Sequence, residues 1–270
     1  MGNEAKQNIP LAKIYLLPNL FTAGNLFFGF LCLIRCIQAR YSEEMTTSFA
    51  LYNQAVWCIF GSLICDGLDG RLARLGGRES LFGKEFDSLA DVVSFGLAPA
   101  MIVFFLILSP ENNFPFFRKI GWLIGFFYLL CGAVRLARFN VITHPLLPKE
   151  QLRSSSSHSF IGLPIPAAAS VIASLVLVIN RFDLKAWALL LPPLMLLIAW
   201  LMISNVYYPS FKHIDWTTET KLRAFVLIII ALVVIITFEE LSCAILSLTY
   251  VFYGLFRHLQ HRKKVPLHHE

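Results

Sequence analysis

Charge is what this sequence has least of. Only 15% of its 270 residues are Asp, Glu, Lys or Arg, while 57% are hydrophobic. That balance excludes a disordered chain and argues against a soluble globular domain. Cysteine pairing is also missing. Cys32, Cys36, Cys58, Cys65, Cys131 and Cys243 form no C-x-x-C pair. Most lie in apolar runs, so packed thiols are expected and disulfides are not needed. None of the histidines falls in an H-E-x-x-H pattern, and His258, His261, His268 and His269 gather near the C-terminal end. No metal is assigned to them. A cleavable signal peptide is not expected. The first apolar stretch is broken by Pro18, Asn19, Gly24 and Asn25, and no small-x-small cleavage site follows. There is no internal repeat.

Long apolar runs are what the chain does have. Eight spans are read, near 17–37, 46–72, 84–109, 118–138, 162–180, 186–206, 222–238 and 241–256. The last two are short or tightly joined for spans of the usual ~20 residues. The fold class is therefore an all-α polytopic membrane protein. Residues 1–256 read as one transmembrane catalytic domain, with a short interfacial helix near 5–16 and a basic cytosolic tail at 257–270. The segment 143–161 is the one long polar insertion, a loop or a lid on the face of the acidic site described next. Basic residues set the orientation. With the N-terminus in the cytosol, only Arg35, Arg40, Arg118, Lys119, Arg181 and Lys185 of the 23 lysines and arginines fall outside. Both termini and the acidic face are then cytosolic, and the cell membrane (cytoplasmic or inner membrane) is the expected location. The net charge of +6 sits beside apolar spans. Anionic lipid headgroups explain it better than nucleic acid does, and no nucleic-acid partner is expected.

Against that scarcity, four aspartates crowd the cytosolic ends of two apolar helices. They lie in Asp66-Gly-Leu-Asp69-Gly70-Arg-Leu-Ala73-Arg74 and Gly83-Lys-Glu-Phe-Asp87-Ser-Leu-Ala-Asp91. Each ionised carboxylate in a span costs roughly 2.5–3.5 kcal/mol on insertion scales. Residues three and four apart share a helix face. Asp66, Asp69, Gly70 and Ala73 thus line one face with Arg74 at its edge, and Gly83, Asp87 and Asp91 line another. Antiparallel packing of these two helices would bring the carboxylates together. Hard divalent cations, magnesium or manganese, are the expected compensation because they prefer oxygen ligands.

The spacing Asp-Gly-x2-Ala-Arg-x8-Gly-x3-Asp-x3-Asp, preceded by a further Asp three residues upstream, resembles the signature of the CDP-alcohol phosphotransferases. Every fixed position is met, by Asp66, Asp69, Gly70, Ala73, Arg74, Gly83, Asp87 and Asp91. Four further stretches are similar to one branch of that family, the integral-membrane phosphatidylserine synthases. They are Leu17-Pro-Asn-Leu-Phe-Thr22-Ala-Gly-Asn25, Phe86 to Pro99, Arg135-Leu-Ala-Arg138-Phe-Asn140 and Phe160 to Ala169. The likeness covers about residues 15–170, and the last hundred residues read as generic apolar helix.

The resemblance implies a helical bundle that transfers the phosphatidyl group of CDP-diacylglycerol to the hydroxyl of L-serine, releasing CMP. It implies direct displacement at a two-metal site and a homodimer in the membrane lipid. Asp66, Asp69, Asp87 and Asp91 are the implied metal ligands, with Asp91 also the candidate general base. Gly70, Ala73 and Gly83 would floor the cytidine, Arg74 would face a phosphate, and Thr22 and Asn25 would contact the nucleotide phosphates or a metal-bound water. Serine's carboxylate needs a cation on the same face. Arg135 and Arg138 are the candidates, with Asn140, just beyond the expected helix end, for the amino group. Two other readings compete. A sister enzyme would accept glycerol 3-phosphate or inositol phosphate, and those acceptors would want a richer basic pocket. An ion-coupled transporter would carry midplane charge on repeat-related helices; here the acids cluster at one face.

Overall fold

The computed structural model describes residues 16–75, 80–109, 117, 119–142, 159–209 and 239–264. Four helices are long and apolar enough to cross a membrane. They are α1 (Leu16–Arg40), α2 (Met45–Leu75), α3 (Leu81–Leu108) and α4 (Gly121–Ile142). Two shorter apolar helices follow, α5 (Ile165–Arg181) and α6 (Leu191–Ile203), and then α7 (Glu239–Lys264), apolar over Leu241–Arg257. The expected first four spans are thus present and the fifth, sixth and eighth fall on α5, α6 and α7. The seventh, 222–238, the interfacial helix at 5–16 but for Leu16, and most of the polar insertion lie outside the described residues. Helix α7 runs past Arg257 to Lys264, so the expected tail begins inside a helix.

The described elements are helical, as expected, apart from one short extended pair. Strands β1 (Ser159–Ile161) and β2 (Tyr207–Pro209) pair antiparallel, with Phe160 opposite Tyr208. The aromatic and β-branched residues here suit a short extended pair. Gly162 makes the turn out of β1 at φ +82, a conformation glycine adopts without penalty. Its N–H donates to the Val206 carbonyl at 2.8 Å, and Leu163 N–H donates to Leu201 O at 3.1 Å. The start of α5 is thereby tied to the end of α6.

Helix α3 starts on a cap and is distorted further along. Ser80 precedes it, and its hydroxyl accepts from Gly83 N–H at 2.9 Å, satisfying one orphan donor of the first turn. The turns Val92–Leu97 and Phe104–Leu108 are wound as π-helix. The first leads into Pro99, which has no N–H and would clash with the carbonyl four residues back. That carbonyl, on Phe95, accepts instead from the Tyr128 hydroxyl of α4 at 3.2 Å. The hydrophobic core lies around this part of α3 and around α5, where Phe95, Ile102, Val103, Ala169, Ile172 and Ala173 are buried. Leu20, Phe27 and Phe30 of α1 and Trp57 and Ile64 of α2 stay exposed, as the outer surface of a membrane bundle should.

Helix α1 packs along α2 and also against the first turns of α3, whereas α2 and Leu81–Asp91 touch only sparsely. Helix α2 meets α3 further along, at Val92–Val103, so the two acidic helices pack on each other as expected, with α1 against both.

Candidate active site

Asp66 and Asp69 project from the last turns of α2, and Asp87 from the second turn of α3. One carboxylate oxygen from each lies within 4.8 Å of the others. Asp69 and Asp87 come within hydrogen-bonding reach of each other. Asp69 is buried, and Asp66 and Asp87 are half-buried. Asp91, one turn further along α3, is also buried but does not belong to the mutually close triple.

Helix α1 provides the donors. Thr22 Oγ1 donates to Asp69 Oδ2 at 3.0 Å, and Asn25 Nδ2 donates to Asp91 Oδ1 at 3.0 Å. Asn25 is itself held from both sides, because the Ser62 hydroxyl of α2 and the Ser94 hydroxyl of α3 donate to its carbonyl at 3.0 and 2.9 Å. The three helices meet closely because Gly29 faces Ser94. A Cβ on Gly29 would stand 2.9 Å from Ser94 Cα.

Four carboxylates thus receive two donors from α1, and the buried Asp87 Oδ1 has no hydrogen-bond partner among the described residues. Unpaired buried charge of this kind is costly unless a cation is bound. Metal–oxygen bonds of about 2.0–2.6 Å span about 4–5 Å between ligand oxygens on opposite sides of an ion. The triple has that spacing, and its all-oxygen donor set suits magnesium or manganese. The residues present therefore fit a divalent cation.

Gly83 stands at the mouth of this cluster. A Cβ there would lie 3.1 Å from Ser80 Oγ and 3.3 Å from Asn19 Oδ1. Asn19 Nδ2 is buried without a hydrogen-bond partner among the described residues, which adds Asn19 to the residues expected from the sequence. The signal was available: Asn19, Thr22 and Asn25 recur every three residues along α1. Gly70 follows Asp69 on α2. Ala73 and Arg74 continue the same helix, and their side chains lie outside the described residues.

The three residues read for serine go to different places. Arg135 is turned inward, its Nε buried without a hydrogen-bond partner among the described residues, and its charge interacts with Asp91. Arg138 is exposed and reaches Asn205 Oδ1 at 3.4 Å. Asn140 lies within α4 rather than beyond its end. Its Nδ2 donates to Ser88 Oγ at 2.8 Å and approaches Glu85 Oε2 at 3.5 Å, so it ties α4 to α3.

The sequence that builds this site is similar to that of known proteins. The family model for CDP-alcohol phosphatidyltransferase matches residues 15–207. The chain belongs to that family. A CDP-diacylglycerol–serine O-phosphatidyltransferase of Helicobacter pylori is 38% identical over 253 residues, covering 93% of this chain and 94% of the relative. A protein of the same name from Methanocaldococcus jannaschii is 31% identical over 216 residues, 80% of this chain and 90% of the relative. The archaetidylserine synthase of Methanothermobacter thermautotrophicus is 33% identical over 211 residues, 77% and 74% of the two chains. The family membership covers every element that builds the acidic site, and it identifies the chain as a phosphatidyl-transferring enzyme of membranes.

Proposed function

We propose that this enzyme transfers the phosphatidyl group of CDP-diacylglycerol to the hydroxyl of L-serine. The serine oxygen forms a bond to the phosphorus that carries the diacylglycerol, the pyrophosphate P–O bond breaks, and CMP leaves with its electron pair. The serine proton passes to a base. The observation that carries the reaction type is the convergence of Asp66, Asp69 and Asp87 within 4.8 Å of one another. Serine as the acceptor is supported by the names of relatives that match nearly the whole chain.

In this reading Asp66, Asp69 and Asp87, with Asp91, hold two magnesium or manganese ions. Such ions would neutralise the pyrophosphate and stabilise the leaving CMP. The chain's own residues do the rest. Thr22 fixes Asp69, and Asn25 fixes Asp91 through one of its two carboxylate oxygens, leaving the other for the serine hydroxyl proton. Gly70, Ala73 and Gly83 keep the backbone low so that the cytidine can lie against it, and Arg74 faces a phosphate. Asn19 offers its free amide to the same ligand. Arg135 pairs with the serine carboxylate through its planar fork. The proposal extends to a homodimer of about eight spans per chain, with both termini and the site facing the cytosol.

Purified full-length protein in detergent, supplied with CDP-diacylglycerol and labelled acceptors, tests this. Serine-dependent release of CMP, abolished by chelator and restored by manganese, is expected. Faster turnover with glycerol 3-phosphate or inositol phosphate would move the chain to a sister activity. Absence of CMP release with any acceptor would reopen the transporter reading.

A further inference from the structure

Beside Asp91 lies a second group of polar side chains that the family motif does not include. The Tyr208 hydroxyl is buried and has no hydrogen-bond partner among the described residues, like Arg135 Nε. Tyr208 is carried by β2 and is fully buried. Its ring packs on Tyr250 of α7, with centroids 5.8 Å apart and planes at 30°. Helix α7 passes so close that a Cβ on Gly254 would run into the Tyr208 ring. Tyr250 lies within electrostatic range of both Tyr208 and Arg135, and Arg135 of Asp91. These groups from β2, α7 and α4 make a polar seam in which Tyr208 meets Tyr250 ring to ring, and Tyr250, Arg135 and Asp91 interact in turn through their charges.

The chemistry of the seam indicates what fills it. Leaving a buried donor unsatisfied is costly, and here there are two, Arg135 Nε–H and the Tyr208 O–H. Burial pushes the Tyr208 phenol up to about 12, so it stays a protonated donor at neutral pH. Two donors, one of them cationic, call for an anion. The neighbouring Asp91 repels a simple anion but attracts a ligand that carries a positive group and a hydrogen-bond-donating hydroxyl at its other end. A small zwitterion with a carboxylate at one end meets both conditions.

We propose that Tyr208 is a specificity-determining residue of the acceptor site, its hydroxyl donating to the carboxylate of the amino-acid acceptor alongside Arg135. Tyr250 and Gly254 hold its ring in place. The inference rests on the serine reading given above. It assigns acceptor recognition to β2 and α7, in the part of the chain that reads as featureless apolar helix.

Steady-state CMP release by the full-length protein, with serine and CDP-diacylglycerol each varied in turn, tests it. Tyr208→Phe keeps the ring and removes only the hydroxyl. The expected result is a rise in the serine KM of about tenfold, equivalent to about 1.4 kcal/mol, with the CDP-diacylglycerol KM unchanged. Preference for serine over serinol, which has no carboxylate, should fall by a similar factor. Gly254→Ala, which leaves the hydroxyl and displaces the ring, should raise the serine KM in the same direction and serves if Tyr208→Phe does not fold. An unchanged serine KM and serinol preference in a folded variant would overturn the inference while leaving the serine reading intact. So would an equal rise in both KM values. If wild-type protein releases no CMP on addition of serine, the serine reading itself fails and this inference fails with it.

Discussion

Gly29→Ala should disable the site without touching any carboxylate. Gly29 lies one turn beyond Asn25 on α1, at the closest approach of α1 to α3. The new methyl would meet Ser94 at its hydroxyl, at its Cα at 2.9 Å and at its Cβ at 3.0 Å. Two of these atoms cannot rotate away, so the helices must separate by on the order of 1 Å to restore contacts near 3.5–4 Å. Overpacking of this kind costs about 1–3 kcal/mol. The functional loss should be larger, because the same contact sets Asn25 against Asp91 and brings Ser94 to the Asn25 carbonyl at 2.9 Å. A misplacement of ~1 Å can cost about 10²-fold in rate. Serine-dependent CMP release and a thermal melt in the same detergent measure the two effects. Gly67→Ala on α2 is the control, since a Cβ there meets nothing within 4 Å; it should keep activity and melting temperature. Wild-type turnover in Gly29→Ala, in protein that melts normally, would refute the argument that α1 positions the aspartates.

The other expectations concern the site itself. Asp66→Asn, Asp69→Asn and Asp87→Asn should each abolish transfer, with manganese restoring activity at most in part; near-normal turnover at saturating metal would remove that residue from the ligand set. Asp91→Asn should lose at least about 10²–10⁴-fold in turnover while retaining CDP-diacylglycerol binding, and a pH–rate profile like wild type with only a small drop in rate would dismiss it as the base. Gly83→Leu should weaken nucleotide binding in protein that remains folded, since the added side chain starts 3.3 Å from Asn19 Oδ1; loss of folding would instead mark Gly83 as a packing residue. Arg135→Lys should raise the serine KM by about tenfold, or about 1.4 kcal/mol, whereas Arg138→Lys should change it little because that side chain is exposed and engaged with Asn205. Kinetics in which Arg138→Lys carries the larger effect would reverse this assignment.

The acidic triple was legible because its geometry is local. Asp66 and Asp69 share a face by spacing alone, and the same spacing puts Asp87 on one face of the next helix with Gly83 and Asp91. The long helices were legible for a similar reason, since unbroken apolar length needs no tertiary information. What could not be read was the part played by α1. The partners of Thr22 and Asn25 lie 47 and 66 residues away, and nothing in their own neighbourhood says which aspartate each will meet. The winding of α3 around Pro99 was equally hidden. A proline warns of a missing hydrogen bond, but only the fold brings the Tyr128 hydroxyl to the Phe95 carbonyl.

Arg135 and Arg138 show the same limit at finer scale. Three residues apart, they share a broad helix face, yet they differ by about 60° in direction around an axis of 3.6 residues per turn. That difference decides everything here. The first side chain is enclosed beside Asp91, and the second emerges where α6 ends and Asn205 waits. A helical pattern can nominate a pair of cations, but the neighbouring elements choose which of them is desolvated. Only a desolvated guanidinium gains much from pairing with a small carboxylate, since exposed ion pairs contribute about 0–1 kcal/mol. In the proposed acceptor site, β2 and α7 add Tyr208 from beyond any recognisable motif. In the proposed reading, acceptor choice rests on Arg135 of α4 and on the later elements β2 and α7, while the acidic motif handles the pyrophosphate.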